Sequence, residues 1–500
     1  MSIEAERSNW MLLLGLVMLG VYGFLLIFLN QSFSLAAWLY SPGTAPLDSP
    51  AYYLSITSLG ATFVAGFFIL HAAAKAKRAL PPVFLIVVFA ILFGLITAFI
   101  RPFNSADVFD YIKEGWLQAY YHVNIYKLSL QQFAAQAPNL PIKTDPMFYA
   151  MSWPHVVSPY GFLFSILGQC IGSISNGSQV IALLLFKFIN FLAFLACGSL
   201  IYQLSKRLTG DPSKALLPLY AFLWNPFILL HELSNAHNDL LMMFLMLLAL
   251  HFLIAKQWLW VFPALVLSIL IKYITAVTAP FILIYMIKHA GWKSVLSSII
   301  LGIVFALGLA WPYVQGGLPH FFATNIGQGF MAHHSLQATL LWFFYLLGLP
   351  TSPTLMRTIL LGLSYGGFSF FLMIVGLRAW HCADYSEKDL LKTLTLVLAV
   401  FILLVSSKFW SWYLLMFYPL ALMLPEKTPL RQISIVLTIS HLLSFTFFAF
   451  HADNIALTEC LMGISFVFMT LFPAGLYVLY YSKMLRQAEK DSLTLSEGAV

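Results

Sequence analysis

Long apolar runs recur along this chain, and no other feature so narrows what it can fold into. One extends from Trp10 to about Leu29, others lie near 53–73 and 81–100, and "LVLSILIKYITAVTAPFILIYMI" begins at Leu265. Runs that approach or exceed about 18 residues read as membrane spans. Charge is correspondingly scarce: 9% of the 500 residues are charged and 61% hydrophobic, where soluble domains carry about 25% charge. The pattern predicts an all-α, polytopic integral membrane protein with about 11–14 transmembrane helices. The run from Trp10 is too long for a cleavable signal core and reads as a retained span. Cys170, Cys197, Cys382 and Cys460 are scattered without metal-ligand spacing and read as small apolar residues.

The net charge of +7 calls for no nucleic acid, because Lys and Arg collect in short loops between spans. These loops carry Lys75, Lys77 and Arg78; Lys206, Arg207 and Lys214; Lys288 and Lys293; Arg378, Lys388 and Lys392; Lys427 and Arg431; and Lys483, Arg486 and Lys490. Placing them in the cytoplasm puts both termini inside a multi-pass cell-membrane protein. Loops 31–52, 101–157, 232–238, 316–335 and 451–455 then face outward. Parity fails at 159–175 with 178–204, and at 336–349 with 355–377. Either the first run of each pair is a re-entrant half-helix, or one basic loop lies outside. The chain divides into N-terminal spans (1–100), an outer loop (101–157), a transmembrane core (158–482) and a cytoplasmic tail (483–500).

Carboxylates concentrate in the outer loop, in "RPFNSADVFDYIKEGWLQAYYHVN" at 101–124. Val108, Tyr111, Ile112, Gly115 and Trp116 fall at helical spacing opposite Asp110 and Lys113. That predicts a short amphipathic helix on the membrane surface, with a second within 126–137. Asp107, at the rim of a span, is either a helix cap or a general base for a hydroxyl arriving from outside. In "LLHELSNAHNDLLMMF" at 229–244, Glu232, His237 and Asp239 either hold a divalent ion or sugar hydroxyls, or make a hydrogen-bonded turn. Lys272 and Lys408 interrupt apolar stretches; each either snorkels to the interface or binds a phosphate. Trp153, Tyr160 and the "FWSWY" cluster at 409–413 suit an interfacial aromatic belt, with stacking on a sugar or polyprenyl chain as the alternative.

Taken in order, these pieces resemble the C-type (GT-C) membrane glycosyltransferases, most of all bacterial α-mannosyltransferases that use polyprenyl-phosphate mannose. "SADVFDYIKEG" resembles the family's acidic outer-loop motif, "HVNIY" its Asn-Pro-Tyr step, and "SWPHVVSPYG" its Trp and Ser-Pro-Tyr-Gly-Pro element. "NPFILLHELSNAHND" is similar to an Asn-Pro…His-Asn-Asp pattern, and "IKYITAVTAP" and "KFWSWYLLMFYPLAL" resemble later span motifs. Ile125, Phe162 and Ser411 stand where the family tends to have Pro, and Asp110 where a small polar residue is common. The resemblance implies an inverting hexosyl transfer, mannosyl in the family it most resembles, with Asp107 as base. The donor is a polyprenyl-phosphate sugar and the acceptor a glycan or glycolipid. Asp110, Trp153, Tyr160, His237, Asn238, Asp239, Lys272, Lys408, Trp412 and Tyr413 then bind substrate. A divalent cation, Mg or Mn, is an optional companion to the lysines at the leaving phosphate. The rival reading is a transporter or flippase for lipid-linked sugars, against which stands the lack of two halves with matching hydropathy.

Overall fold

The computed structural model describes residues 3–30, 49–76, 80–148, 151–314, 332–348, 353–443 and 462–483. Most of the expected outer loops 31–52 and 316–335, all of 451–455, residues Lys77, Arg78, Cys460, Arg486 and Lys490, and nearly all of the tail lie outside these. Among the described residues the chain is mostly helical and contains no β-strand. Its only extended pairing is an isolated parallel bridge between His333 and Lys408. Among the described residues, seven helices are long and apolar enough to cross a membrane: Asn9–Asn30, Pro50–Lys75, Gln179–Thr209, Pro212–Leu233, Trp292–Tyr313, Leu355–His381 and Met462–Lys483. Five shorter apolar helices accompany them. The all-α polytopic reading holds.

The first run of each problematic pair is short in the structure. Phe162–Ser175 has 14 residues and Leu336–Leu346 has 11. At about 1.5 Å per residue neither reaches the roughly 30 Å of a bilayer core. Their partners, Gln179–Thr209 and Pro353–His381, have 31 and 29 residues. The short members therefore do not cross alone.

Pro212–Leu233 runs through the middle of the bundle with most of its residues buried. Side-chain hydrogen bonds to neighbouring carbonyls hold it there. Trp224 Nε1 donates to Ile86 O at 3.0 Å, Tyr220 OH to Phe63 O at 3.1 Å, and Tyr418 OH to Ala221 O at 2.7 Å. Without water as a competitor, such bonds stabilise helix association by about 0.6–2 kcal/mol each. Asn225 stops the first part of this rod: its Oδ1 accepts from Phe227 N at 3.0 Å, and Pro226 follows as the first helical residue. The second part unwinds into a π-turn at Leu229–Leu233. Ala236 then takes a left-handed conformation with φ 56°, which a residue with a Cβ rarely adopts. This break carries His237, Asn238 and Asp239 to the start of the Asp239–Ile254 helix.

Candidate active site

The segment leading to Asp107 is clasped from two sides. Asn30 donates to Phe99 O at 3.0 Å and accepts from Arg101 N at 3.0 Å. Asn235 Oδ1 accepts from Phe103 N and Asn104 N at 3.1 and 3.3 Å. A helix then spans Asp107–Ala119 without a side-chain cap; Asp107 N donates to Ser105 Oγ instead, at 3.2 Å. The capping role for Asp107 does not hold. Its carboxylate turns away, with Oδ2 3.6 Å from His237 Nδ1.

Nor does this helix lie on a membrane surface with one face in water. Every residue from Val108 to Gln118 is buried, Asp110, Lys113 and Glu114 included. The helix packs backbone to backbone on Phe162–Ser175. A Cβ at Gly115 would sit 2.2 Å from Gly168 O, and one at Gly172 would sit 2.6 Å from Gly115 O. Only glycines allow that approach. A second short helix forms at Leu130–Gln136, inside the expected 126–137, closed by a Ser129–Gln132 capping box.

Asp110 is not turned away from Asp107, as an amphipathic surface helix would have it; both line the same cavity. It is already engaged. Asp110 Oδ1 accepts from Lys113 Nζ at 2.9 Å and from Trp153 N at 3.2 Å, and Oδ2 accepts from Ser152 N at 3.2 Å. Lys113 Nζ also donates to Trp153 O at 3.0 Å. This buried pair fixes the backbone that presents the Trp153 ring, so Asp110 is a scaffold for the cavity wall.

The cavity holds about 780 Å³. Asp107, Asp110, Trp153, Tyr160, Lys272, Lys408, Trp412 and Tyr413 line it, as the sequence reading placed them in one site. His237, Asn238 and Asp239 do not. They lie behind its lining, His237 against Asp107 and Asp239 against Lys272, each about 1% exposed or less. Asp239 is bound by Lys272, whose Nζ donates to its two oxygens at 2.8 and 3.1 Å. The ammonium lies 4.6 Å from the centre of the Tyr413 ring. Lys272 does not snorkel; it is held inside by a buried carboxylate. Lys408 stands 6.0 Å above the Trp153 ring. The bridge brings His333 beside it, through His333 N to Ser407 O at 3.0 Å and Phe409 N to His333 O at 2.8 Å.

The "FWSWY" cluster faces inward, so the belt reading fails for it. Trp412 is 4% exposed and stacks on His237, with centroids 4.1 Å apart. Trp410 stacks on Trp412 at 5.3 Å and on His333 at 6.0 Å. A column of four rings thus links His237, set against Asp107, to His333, beside Lys408. Ser411, where Pro is common in the resembling family, has its hydroxyl 3.1 Å from His441 Nδ1.

Burial, with the negative charge of Asp110, pushes the Asp107 carboxyl up to about 7, against the pull of Lys272. Burial also pushes Glu114 up to about 7, opposed by Lys113 and by the Ser158 hydroxyl that donates to it at 2.7 Å. The Lys408 ammonium is lowered by burial to about 8, with Asp107 acting the other way. Among the described residues no three His, Cys, Asp or Glu side chains converge as metal ligands. Asp239 is already taken by Lys272.

Sequence reasoning left Glu114, Lys113 and His333 out of the site and took Trp410 only as part of the "FWSWY" cluster. Asp107, Asp110 and Glu114 follow one another by three and four, the spacing of a single helix face, so the acidic stripe was readable. His333 had no such signal, since only the bridge to a distant segment brings it to the cavity.

Residues 11–288 match the family described as "Alpha-(1->6)-mannopyranosyltransferase, N-terminal domain". A similar protein is alpha-(1->6)-mannopyranosyltransferase A of Corynebacterium glutamicum, 21% identical over 230 residues. The match covers 45% of this chain and 42% of that relative, less than half of its length. No solved structure matches the chain significantly.

Proposed function

This chain belongs to the α-(1→6)-mannopyranosyltransferase family, and from that membership we propose that it transfers a mannosyl residue from a polyprenyl-phosphate donor to a hydroxyl of a glycan or glycolipid. One observation carries the reading: a single cavity is lined both by the Asp107 carboxylate and by the Lys408 ammonium, with His333 beside that lysine. The acceptor hydroxyl gives its proton to Asp107 as its oxygen bonds to the anomeric carbon. The bond from that carbon to the phosphate oxygen breaks on the opposite face, and the configuration inverts. A base titrating near 7 is well matched to this task. The departing polyprenyl phosphate gains negative charge, which Lys408 meets in a poorly hydrated setting. Lys272 contributes less, because Asp239 already neutralises it. Trp153 offers a flat apolar face for a sugar ring. No step is routed through a divalent cation.

The donor is membrane-borne and the acceptor arrives from outside, so the cavity opens outward and both termini are cytoplasmic. Purified protein given radiolabelled polyprenyl-phosphate mannose and a mannoside acceptor should form an α-linked product from a β-linked donor. Retained configuration would sink the single-displacement mechanism. Movement of intact lipid-linked sugar across a vesicle bilayer, with no transfer, would favour the transporter reading. Single cysteines at Leu140 and Lys214, on a background lacking the native cysteines, should be labelled from opposite sides of intact cells.

A further inference from the structure

Beneath Asp107 lies a side chain that the mechanism above leaves unused. The His237 ring is fully buried, and its Nδ1 is 3.6 Å from Asp107 Oδ2. That is slightly too long for a hydrogen bond. Neither ring nitrogen has a hydrogen-bond partner among the described residues, although an orphaned buried polar atom costs about 1–3 kcal/mol. The ring cannot readily turn elsewhere. Trp412 covers its face at 4.1 Å with the planes only 17° apart, and its backbone is anchored by His237 N to Glu232 O at 3.2 Å. The left-handed Ala236 beside it is a strained conformation, of the kind kept where a following side chain must be aimed.

We propose that His237 is a positioning residue for Asp107, its Nδ1–H fixing which carboxylate oxygen faces the acceptor and stabilising the ionised form. This rests on the reading of Asp107 as the base. Burial and the nearby Lys272 push the imidazole well below its ordinary range. It is therefore neutral, with one N–H to give, and does not itself become the base. Hydrogen bonds at catalytic sites often tighten from such apo distances when substrate closes the site. Asp107 is also faced by Asp110 and Asp239, which raise its pKa, and by Lys272 and the Ser105 hydroxyl, which lower it. Lys408, Tyr111, Tyr160 and Tyr413 share its field. All of these remain in place when only His237 is changed.

Two substitutions separate the nitrogen from the ring. His237→Phe keeps the stack on Trp412 and removes the N–H. His237→Asn loses the stack but can supply an amide N–H where Nδ1 stood. The Phe variant should lower kcat about 10- to 100-fold with KM for the donor within about twofold, and move the acidic limb of the kcat–pH profile up by roughly one unit. The Asn variant should hold the limb within a few tenths of a unit. A purely structural ring predicts the reverse ranking, with Phe active and its limb unmoved, and that result would overturn the proposal. Infrared titration of the Asp107 carboxyl, identified by its loss in Asp107→Asn, reads the same coupling without turnover. If Asp107→Asn retained transfer, the base reading would fail. If the infrared titration ignored His237→Phe, the positioning role would fail while the base reading stood.

Discussion

Asp107 and Asp110 sit one helical turn apart on the same stripe and face the same cavity, yet the structure treats them oppositely. The Asp110 side chain is 4% exposed and saturated by an ammonium and two backbone amides. That of Asp107 is 28% exposed, and the side chain set against it is a neutral imidazole at 3.6 Å. A carboxylate that fully satisfied has nothing left to offer a substrate proton, and one that nothing satisfies is a poor structural element. The difference teaches that acidity alone does not mark the base; an unfilled hydrogen-bonding shell does.

Substitution by asparagine at each position is the most direct way to break this contrast. Asp107→Asn should cut transfer by about 10²–10⁴-fold with thermal stability unchanged or slightly raised. The sign follows from the raised pKa. Ionising Asp107 works against folding, an effect absent below the ordinary carboxylate range that grows as pH climbs to about 7 and is constant above it. A clear fall in melting temperature for Asp107→Asn, with activity per folded molecule kept, would reverse the two roles.

The lysines extend the same logic to the basic groups of the cavity. Lys408→Met should lower turnover about 10²-fold, as loss of one transition-state donor does, at little cost in stability. Lys272→Met should act mainly on folding. It strands Asp239 in the interior, and breaking such a buried pair costs about 3–5 kcal/mol. The residue's place in an apolar run suggests that methionine would be tolerated; the buried Asp239 says otherwise. Activity normalised to folded protein separates the two variants, and equal losses would erase the distinction drawn here.

Asp110→Asn should lose about 3–5 kcal/mol of stability by leaving Lys113 buried and uncompensated, with a smaller loss of activity per folded molecule. Because Asp110 raises the Asp107 pKa, this variant should also move the acidic limb of kcat to lower pH. Lys272→Met should move it to higher pH. Limbs moving the wrong way would show that another group controls the profile. The smallest effect is expected at Ala236. Glycine there relieves the left-handed strain but frees the unfolded chain, so stability should change by less than about 1 kcal/mol. A large loss of transfer in this variant would mean that the aim of His237 depends on the stiffness of that turn.

Much of this protein is written locally. The length of the apolar runs determined the all-α membrane class, because a helix satisfies its own backbone within one segment. The acidic loop, the His-Asn-Asp turn, both lysines and Trp412 with Tyr413 were visible as polar or aromatic interruptions of a greasy sequence, and they do converge on one site. Their division of labour was not visible. That Asp239 neutralises Lys272, that Asp110 is consumed by Lys113 and the Ser152–Trp153 backbone, and that His333 meets Lys408 depend on contacts between segments far apart in sequence. Even the close seat of the Asp107 helix came from Gly115 meeting Gly168, two glycines with no local reason to be paired. Hydrophobicity and helical period act along the chain and can be read from it. Whether a buried charge is filled or open is set by what packs against it, and only the tertiary structure decides that.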